Sequence, residues 1–221
     1  MRTRYGKKAW NRESNRESGA GGSGDRPAAD DPRARPGRPD SIVTDWSVDP
    51  EDWGYFLCKV FDEWRSRDLG KVLVNQFETL VSQHMGMGPQ LCVYGEHCGK
   101  GVAVEHDGSV YACDHFVYPE YRIGNLRDRS LRETVLSRRQ VKFGFAKSEG
   151  LPAVCRACEY LADCRGECPK NRLLRAPDGA PGLNYLCRGM KKFYAHALPE
   201  VDRIVRNLQG QPAGEVVKEW R

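Results

Sequence analysis

The sequence predicts an α+β fold: a small cysteine-rich domain with a β-hairpin and short helices, preceded by the closing helix and strand of an α/β unit. Three observations predict it. Eight of the nine cysteines lie between Cys92 and Cys187. An Asp-Gly pair flanked by alternating apolar residues falls inside that interval, a strong hairpin signal. A helix-then-strand pattern stands just before it.

The elements follow in chain order. Residues 1–40 are rich in Arg, Gly, Pro, Asp and Ser, repeat Asn-Arg-Glu-Ser at 11–14 and 15–18, and carry ten Lys/Arg against six Asp/Glu. Such a segment buries too little apolar surface to offset its ordering entropy, so a disordered leader is expected there. A helix is expected from Asp49, a good N-cap, with Pro50 at the first helical position. Trp53, Phe56, Leu57, Val60, Phe61 and Trp64 then share one face at helical spacing, and Gly70 is the natural stop. Lys71 to Asn75 reads as a short buried strand, and Phe77 to His84 as a further helical turn or two. Gly101–Glu105 and Ser109–Cys113 read as two strands around His106-Asp107-Gly108. Ser130 and Glu133 form a capping-box pattern that opens a helix, and a second helix is expected over Arg139 to Lys147. Residues 151–172 are short-looped and pinned by cysteines. Residues 188–208 read as helical, with a break at Pro199.

The cysteines carry the chemistry. Cys92, Cys98 and Cys113 form one group. Cys155-x2-Cys158-x5-Cys164-x3-Cys168 forms a second, with Cys187 outlying; Cys58 stands apart as a lone helix thiol. Eight thiolates are what two four-iron clusters need when every iron has a protein ligand. Where a cysteine precedes proline in ferredoxin-type runs, it serves the neighbouring cluster. On that logic Cys168 joins Cys92, Cys98 and Cys113, and Cys187 completes the set of Cys155, Cys158 and Cys164. An all-thiolate zinc site within 155–168 is the competing reading. Disulfides are disfavoured by the odd total and the crowding. Arg156, Arg165, Lys170 and Arg188 are candidates to offset the charge of an anionic cluster. His97 and His115 flank ligand cysteines and are expected to brace rather than ligate.

Bulk properties exclude other classes. The net charge is +5, with 39% hydrophobic and 29% charged residues. Four of the five excess charges sit in residues 1–40, so no folded basic face for nucleic acid is evident. No apolar run approaches the ~20 residues that span a bilayer, and the N-terminus has no apolar stretch of a signal peptide. A cytoplasmic location and no membrane partner are expected.

Cys98-x9-Gly108-x4-Cys113, the run from Cys155 to Cys168 and then Cys187 resemble the seven-cysteine SPASM signature of radical S-adenosylmethionine (SAM) enzymes. Cys92 resembles the eighth ligand of their anaerobic sulfatase-maturating branch, and so does the wording Trp46-Ser-Val, Phe61-Asp-Glu-Trp64, Leu91-Cys-Val and Tyr111-Ala-Cys-Asp-His-Phe116. The resemblance covers about residues 42–205. It implies a division into residues 1–40 (leader), 41–88 (the end of a partial radical SAM barrel), 89–190 (a SPASM-like domain with two auxiliary [4Fe-4S] clusters) and 191–221 (C-terminal helices and tail). It implies that the whole enzyme oxidises a Cys or Ser of a sulfatase peptide to formylglycine. A SAM-cleaving cluster bound by CxxxCxxC starts that reaction. The acidic residue after the third auxiliary cysteine, here Asp114, is the general base that the resemblance implies. No CxxxCxxC occurs in this sequence: Asn171 stands where its third cysteine would fall after Cys164 and Cys168. S-adenosylmethionine and a third cluster are therefore expected only with an N-terminal half supplied, if need be by a separate chain. Independent turnover is not expected. The alternative is a stand-alone iron–sulfur or zinc module for electron transfer or peptide binding.

Overall fold

A computed structural model describes residues 26–210. Two bodies make up the fold, one helical and one of loops, short strands and short helices.

The helical body contains α1 (Pro50–Glu63), α2 (Asn75–His84) and α7 (Cys187–Gly210). Asp49 caps α1 as expected, its carboxylate accepting from Glu51 N, with Pro50 in the first turn. A π-helical turn, Trp64–Asp68, prolongs α1, and Gly70 (φ 73°) ends the run. The apolar stripe becomes the core: Leu57, Phe61 and Trp64 pack with Phe77 and Leu80 of α2 and with Phe193, Tyr194, Ala197 and Val201 of α7. Phe61 meets Phe77 edge-on at 5.2 Å and Phe193 at 6.0 Å, favoured geometries for aromatic pairs. α1 and α7 cross at two glycines. A Cβ on Gly54 would lie 2.6 Å from Gly189 Cα, so only glycine allows that approach.

Two expectations fail here. Residues 71–75 form no strand: Leu73 is 80% exposed and Val72 also lies open. The Val72 carbonyl is taken by the Trp64 indole N–H at 2.9 Å, and no strand among the described residues pairs with it. The strand expected at 71–75 is thus replaced by a turn between two helices. Nor does Pro199 break the final helix, which runs from Cys187 to Gly210. Ala197 before it and Val201 and Ile204 after it are all buried. That packing outweighs the one lost backbone hydrogen bond.

The second body begins with the hairpin, β1 (Ala103–Val104) and β2 (Ser109–Tyr111), paired antiparallel with Val104 opposite Val110. Asp107 closes its turn by accepting from Ser109 N at 2.9 Å. A third strand that the sequence reading lacked, β3 (Arg122–Asn125), pairs with β2. Helix α3 (Leu131–Val135) opens on the expected capping box of Ser130 and Glu133, and α4 (Arg138–Glu149) follows. Then come α5 (Ala153–Arg156), α6 (Leu161–Cys164) and the pair β4 (Leu174–Arg175) and β5 (Pro181–Leu183). The apolar core of this body is small: Val110, Ala112 and Ile123 in one place, Ala34, Leu174 and Leu183 in another.

The second of those clusters corrects the leader. Residues 26–40 are not free chain: Ala34 is buried, Arg175 N donates to Pro27 O at 3.0 Å, and Ala28 bridges to Arg175. Residues 1–25 lie outside the described residues.

Candidate metal centre

The eight thiols between Cys92 and Cys187 are free, as is Cys58. They come from many short segments, each held by a local device. Cys92 opens a 3-10 turn; its carbonyl and that of Val93 accept from Lys147 Nζ at 2.9 and 2.7 Å. Cys98 donates its N–H to Gly144 O at 3.1 Å, and a Cβ on Gly144 would stand 2.8 Å from Cys98 O. Cys113 follows β2; just before it, Ala112 O accepts from the buried Gln140 Nε2 at 3.0 Å. Cys168 precedes Pro169, and its sulfur lies 3.3 Å from His115 Nδ1. Cys155 sits in α5 and Cys164 ends α6. Cys187 starts α7.

The charge environment sorts these thiols into two groups. Burial pushes Cys113 up to about 12, with Asp114 and the sulfur of Cys168 adding to it. Burial pushes Cys168 up to about 11, helped by Cys98 and Cys92. Cys98 is raised by burial and then by Cys92, against Lys147. In the other group burial takes Cys164 up to about 12, with Glu167, Cys187 and Cys155 contributing. Cys187 rises to about 11 through burial, Cys155 and Cys158; Cys155 rises through burial and Cys158. Every thiol that acts on a shifted thiol belongs to the same set: Cys92, Cys98, Cys113 and Cys168, or Cys155, Cys158, Cys164 and Cys187. Thiols held this far up are protonated near neutral pH, so metal binding there must release protons.

The second set lines a single pocket with Leu161, Met190 and Tyr194. The Tyr194 hydroxyl is buried and has no hydrogen-bond partner among the described residues. A phenol left so, with Cys164 near it, suits a group that brings acceptors of its own. Among the described residues, no three His, Cys, Asp or Glu side chains meet closely enough to hold one metal ion. Eight thiols at these spacings are a donor set that fits iron–sulfur clusters.

Cys58 is buried between α1 and α7, its charged neighbours being Asp62, Lys192 and Lys59; it belongs to neither set. Asp114 is exposed in the 3-10 turn after Cys113. Its carboxylate accepts from the Cys113 thiol at 3.1 Å, which holds it below the ordinary carboxylate range. That is opposite to the raised value a buried base would have. A metal-bound sulfur has no proton to give, so loading removes the main cause of that shift.

The cations expected near the cysteines are mostly peripheral. Arg156 is exposed and donates to Glu149 O; Arg188 is exposed; Arg165 is half-buried in a left-handed conformation. Lys170 is buried and donates to His115 O and to the Tyr118 hydroxyl. His97 packs edge-on to Phe145 at 4.4 Å. Two buried cations were missed. Lys147 is 1% exposed and Arg172 4% exposed. Neither carries a sequence mark that separates it from a solvated base. Also missed is His84, between Asp202 at 2.7 Å and Asp163 at 3.0 Å, which ties α2 and α7 to the residue before Cys164.

Residues 92–159 match the SPASM family, an iron-sulfur cluster-binding domain. The chain is 44% identical over 174 residues to a serine-type anaerobic sulfatase-maturating enzyme of Bacteroides thetaiotaomicron, covering 79% of this chain and 42% of that protein. It is 29% identical over 169 residues to a cysteine-type anaerobic sulfatase-maturating enzyme of Clostridium perfringens, covering 74% of this chain and 44% of that one. A solved structure described as native anSMEcpe with bound AdoMet and Kp18Cys peptide aligns with a TM-score of 0.65 and 30% identity, over 73% of this chain and 45% of that one. The chain thus spans less than half the length of these relatives. No helix among the described residues is long and apolar enough to cross a membrane. Sequence and fold agree in showing the resemblance read from the cysteines: this chain matches SPASM-domain radical SAM enzymes of the anaerobic sulfatase-maturating branch, over their C-terminal part.

Proposed function

We propose that the chain is the auxiliary-cluster portion of a cytoplasmic radical SAM oxidoreductase that converts a sulfatase Cys or Ser to formylglycine. Two [4Fe-4S] clusters are assigned to it, one on Cys92, Cys98, Cys113 and Cys168, the other on Cys155, Cys158, Cys164 and Cys187. The observation that carries this reading is geometric: Cys155, Cys158, Cys164 and Cys187 line one pocket, while the Cys168 sulfur lies against His115, two residues beyond Cys113. When bound, such clusters supply an acceptor for one electron left over from substrate oxidation. The chain's own groups do the rest. Asp114, exposed beside Cys113, takes the proton from the substrate heteroatom. The open surface around Cys92, which is itself exposed, receives the peptide. The hydrogen atom of the substrate β-carbon is removed by chemistry that needs a CxxxCxxC cluster, which these 221 residues do not contain; we assign it to an N-terminal half, whether on the same polypeptide or on a separate chain.

The test is mass spectrometry of a sulfatase peptide incubated anaerobically with SAM, a reductant, this chain and a SAM-cluster partner. Formylglycine is expected, with Asp114→Asn lowering its yield by about 100-fold or more at unchanged iron content. Peptide binding that survives Asp114→Asn, with no product under any partner, would instead favour a binding or electron-transfer module.

A further inference from the structure

We propose that Arg172 is a counter-charge shared by both cluster sites, a positioning residue that sets their two reduction potentials together. The inference rests on the two-cluster reading above and deepens it.

The geometry starts with the loop between Cys164 and Cys168, which gives one thiol to each set. Arg165 (φ 49°), Gly166 (φ 66°) and Glu167 (φ 49°) are all left-handed. Two non-glycine departures, one on each side of a glycine, cost energy and persist only where the surroundings enforce them. Arg172 enforces them. Its guanidinium donates to Gly166 O at 3.0 Å and to Arg165 O at 3.1 Å. The remaining arm reaches Lys147 O at 2.7 Å. Lys147 in turn holds the carbonyls of Cys92 and Val93. One chain of donors therefore runs from the segment of Cys92 through α4 into the loop that carries Cys164 and Cys168.

Both cations are buried, and all their hydrogen-bond acceptors are neutral carbonyls; among the described residues neither forms an ion pair. The Glu167 carboxylate feels both cations but pairs with neither, accepting from Asn184 instead; a buried cation left without an ion pair is costly and is kept where an anion arrives. Their reach differs. Arg172 feels Cys155 and Cys164 of one set and Cys98 and Cys168 of the other. Lys147 feels Cys98, Cys168 and Cys92, all of one set. Two four-thiolate clusters would each bring negative charge to thiols that Arg172 faces in both sets and Lys147 in one. A fixed positive charge favours the reduced state, so its removal lowers the potential of each cluster it faces.

The experiment is potentiometric titration, read by electron paramagnetic resonance, of the anaerobically reconstituted full chain, with the midpoints assigned through Cys98→Ala and Cys187→Ala. Arg172→Gln is expected to lower both midpoints, and Lys147→Gln only that of the Cys92 set. If Arg172→Gln does not load, Arg172→Lys decides: loading with both midpoints near wild type supports the shared charge. Arg172→Gln moving one midpoint or neither, Arg172→Lys failing to load as well, or Lys147→Gln moving both midpoints equally would each overturn it. A wild-type chain that binds no pair of clusters would sink the function above instead, so the two failures are distinct.

Discussion

The two thiol sets sit in different surroundings, although one loop serves both. The set of Cys92, Cys98, Cys113 and Cys168 is gathered from far-apart segments and held by polar devices: Lys147 on the Cys92 carbonyl, Gly144 on Cys98, Gln140 before Cys113 and His115 beside Cys168. Cys92 is exposed. The set of Cys155, Cys158, Cys164 and Cys187 draws three members from one short run and lies in an apolar pocket against α7. The first site depends on hydrogen bonds and buried charge, the second on the packing of the helical body. Where the apolar core is smallest, hydrogen bonds and buried cations supply order that side-chain burial supplies elsewhere, and under the proposed two-cluster reading metal adds to it.

The largest effect should come from removing one ligand of each set. Cys98→Ala and Cys187→Ala should each cut bound iron by about half, leaving about four irons per chain. Iron analysis after anaerobic reconstitution checks this; loss of all iron from either variant would erase the distinction between the sites. Next, air exposure should bleach the loaded chain in two phases, because oxidant access follows exposure. The fast phase should vanish in Cys98→Ala and persist in Cys187→Ala, as followed by visible absorbance.

Packing sharpens the contrast further. Gly189→Ala would drive a methyl group into the backbone of α1 at Gly54 and Pro50. It should cost about 3 kcal/mol in a melting or denaturant experiment. Iron should be lost first from the Cys187 site, which shares α7 with Gly189. Equal loss from both sites would break the proposed dependence on the helical body. The smallest effect concerns the hairpin. Ser109, through its backbone N–H and hydroxyl, holds Asp107 below its usual value of 3.8. The lowered value means the turn is favoured above that value and loses support as pH falls through it. Asp107→Asn should flatten that acid limb in a pH series of hydrogen exchange at Val110, without touching iron content.

Much of this was legible in the residues. Asp49-Pro50, the Asp-Gly turn and the Ser130–Glu133 box each specify local backbone, so the elements they mark form as expected. The cysteine spacing likewise pointed to the SPASM match over residues 92–159. What failed depended on tertiary context. Val72 and Leu73 look like a buried strand, but no partner strand lies beside them and Trp64 claims the Val72 carbonyl. Pro199 looks like a break, yet buried neighbours on both sides carry the helix through. β3 is short and too polar to announce itself. Lys147 and Arg172 are indistinguishable by type from the surface cations favoured in their place; only the fold shows which bases are inside.

The central claim is that eight thiols hold two inorganic clusters. Its most direct test is the iron and acid-labile sulfide content of the anaerobically reconstituted chain. The account predicts about eight of each per chain, with broad absorbance near ~400 nm. Colourless protein holding zinc and no sulfide would contradict it.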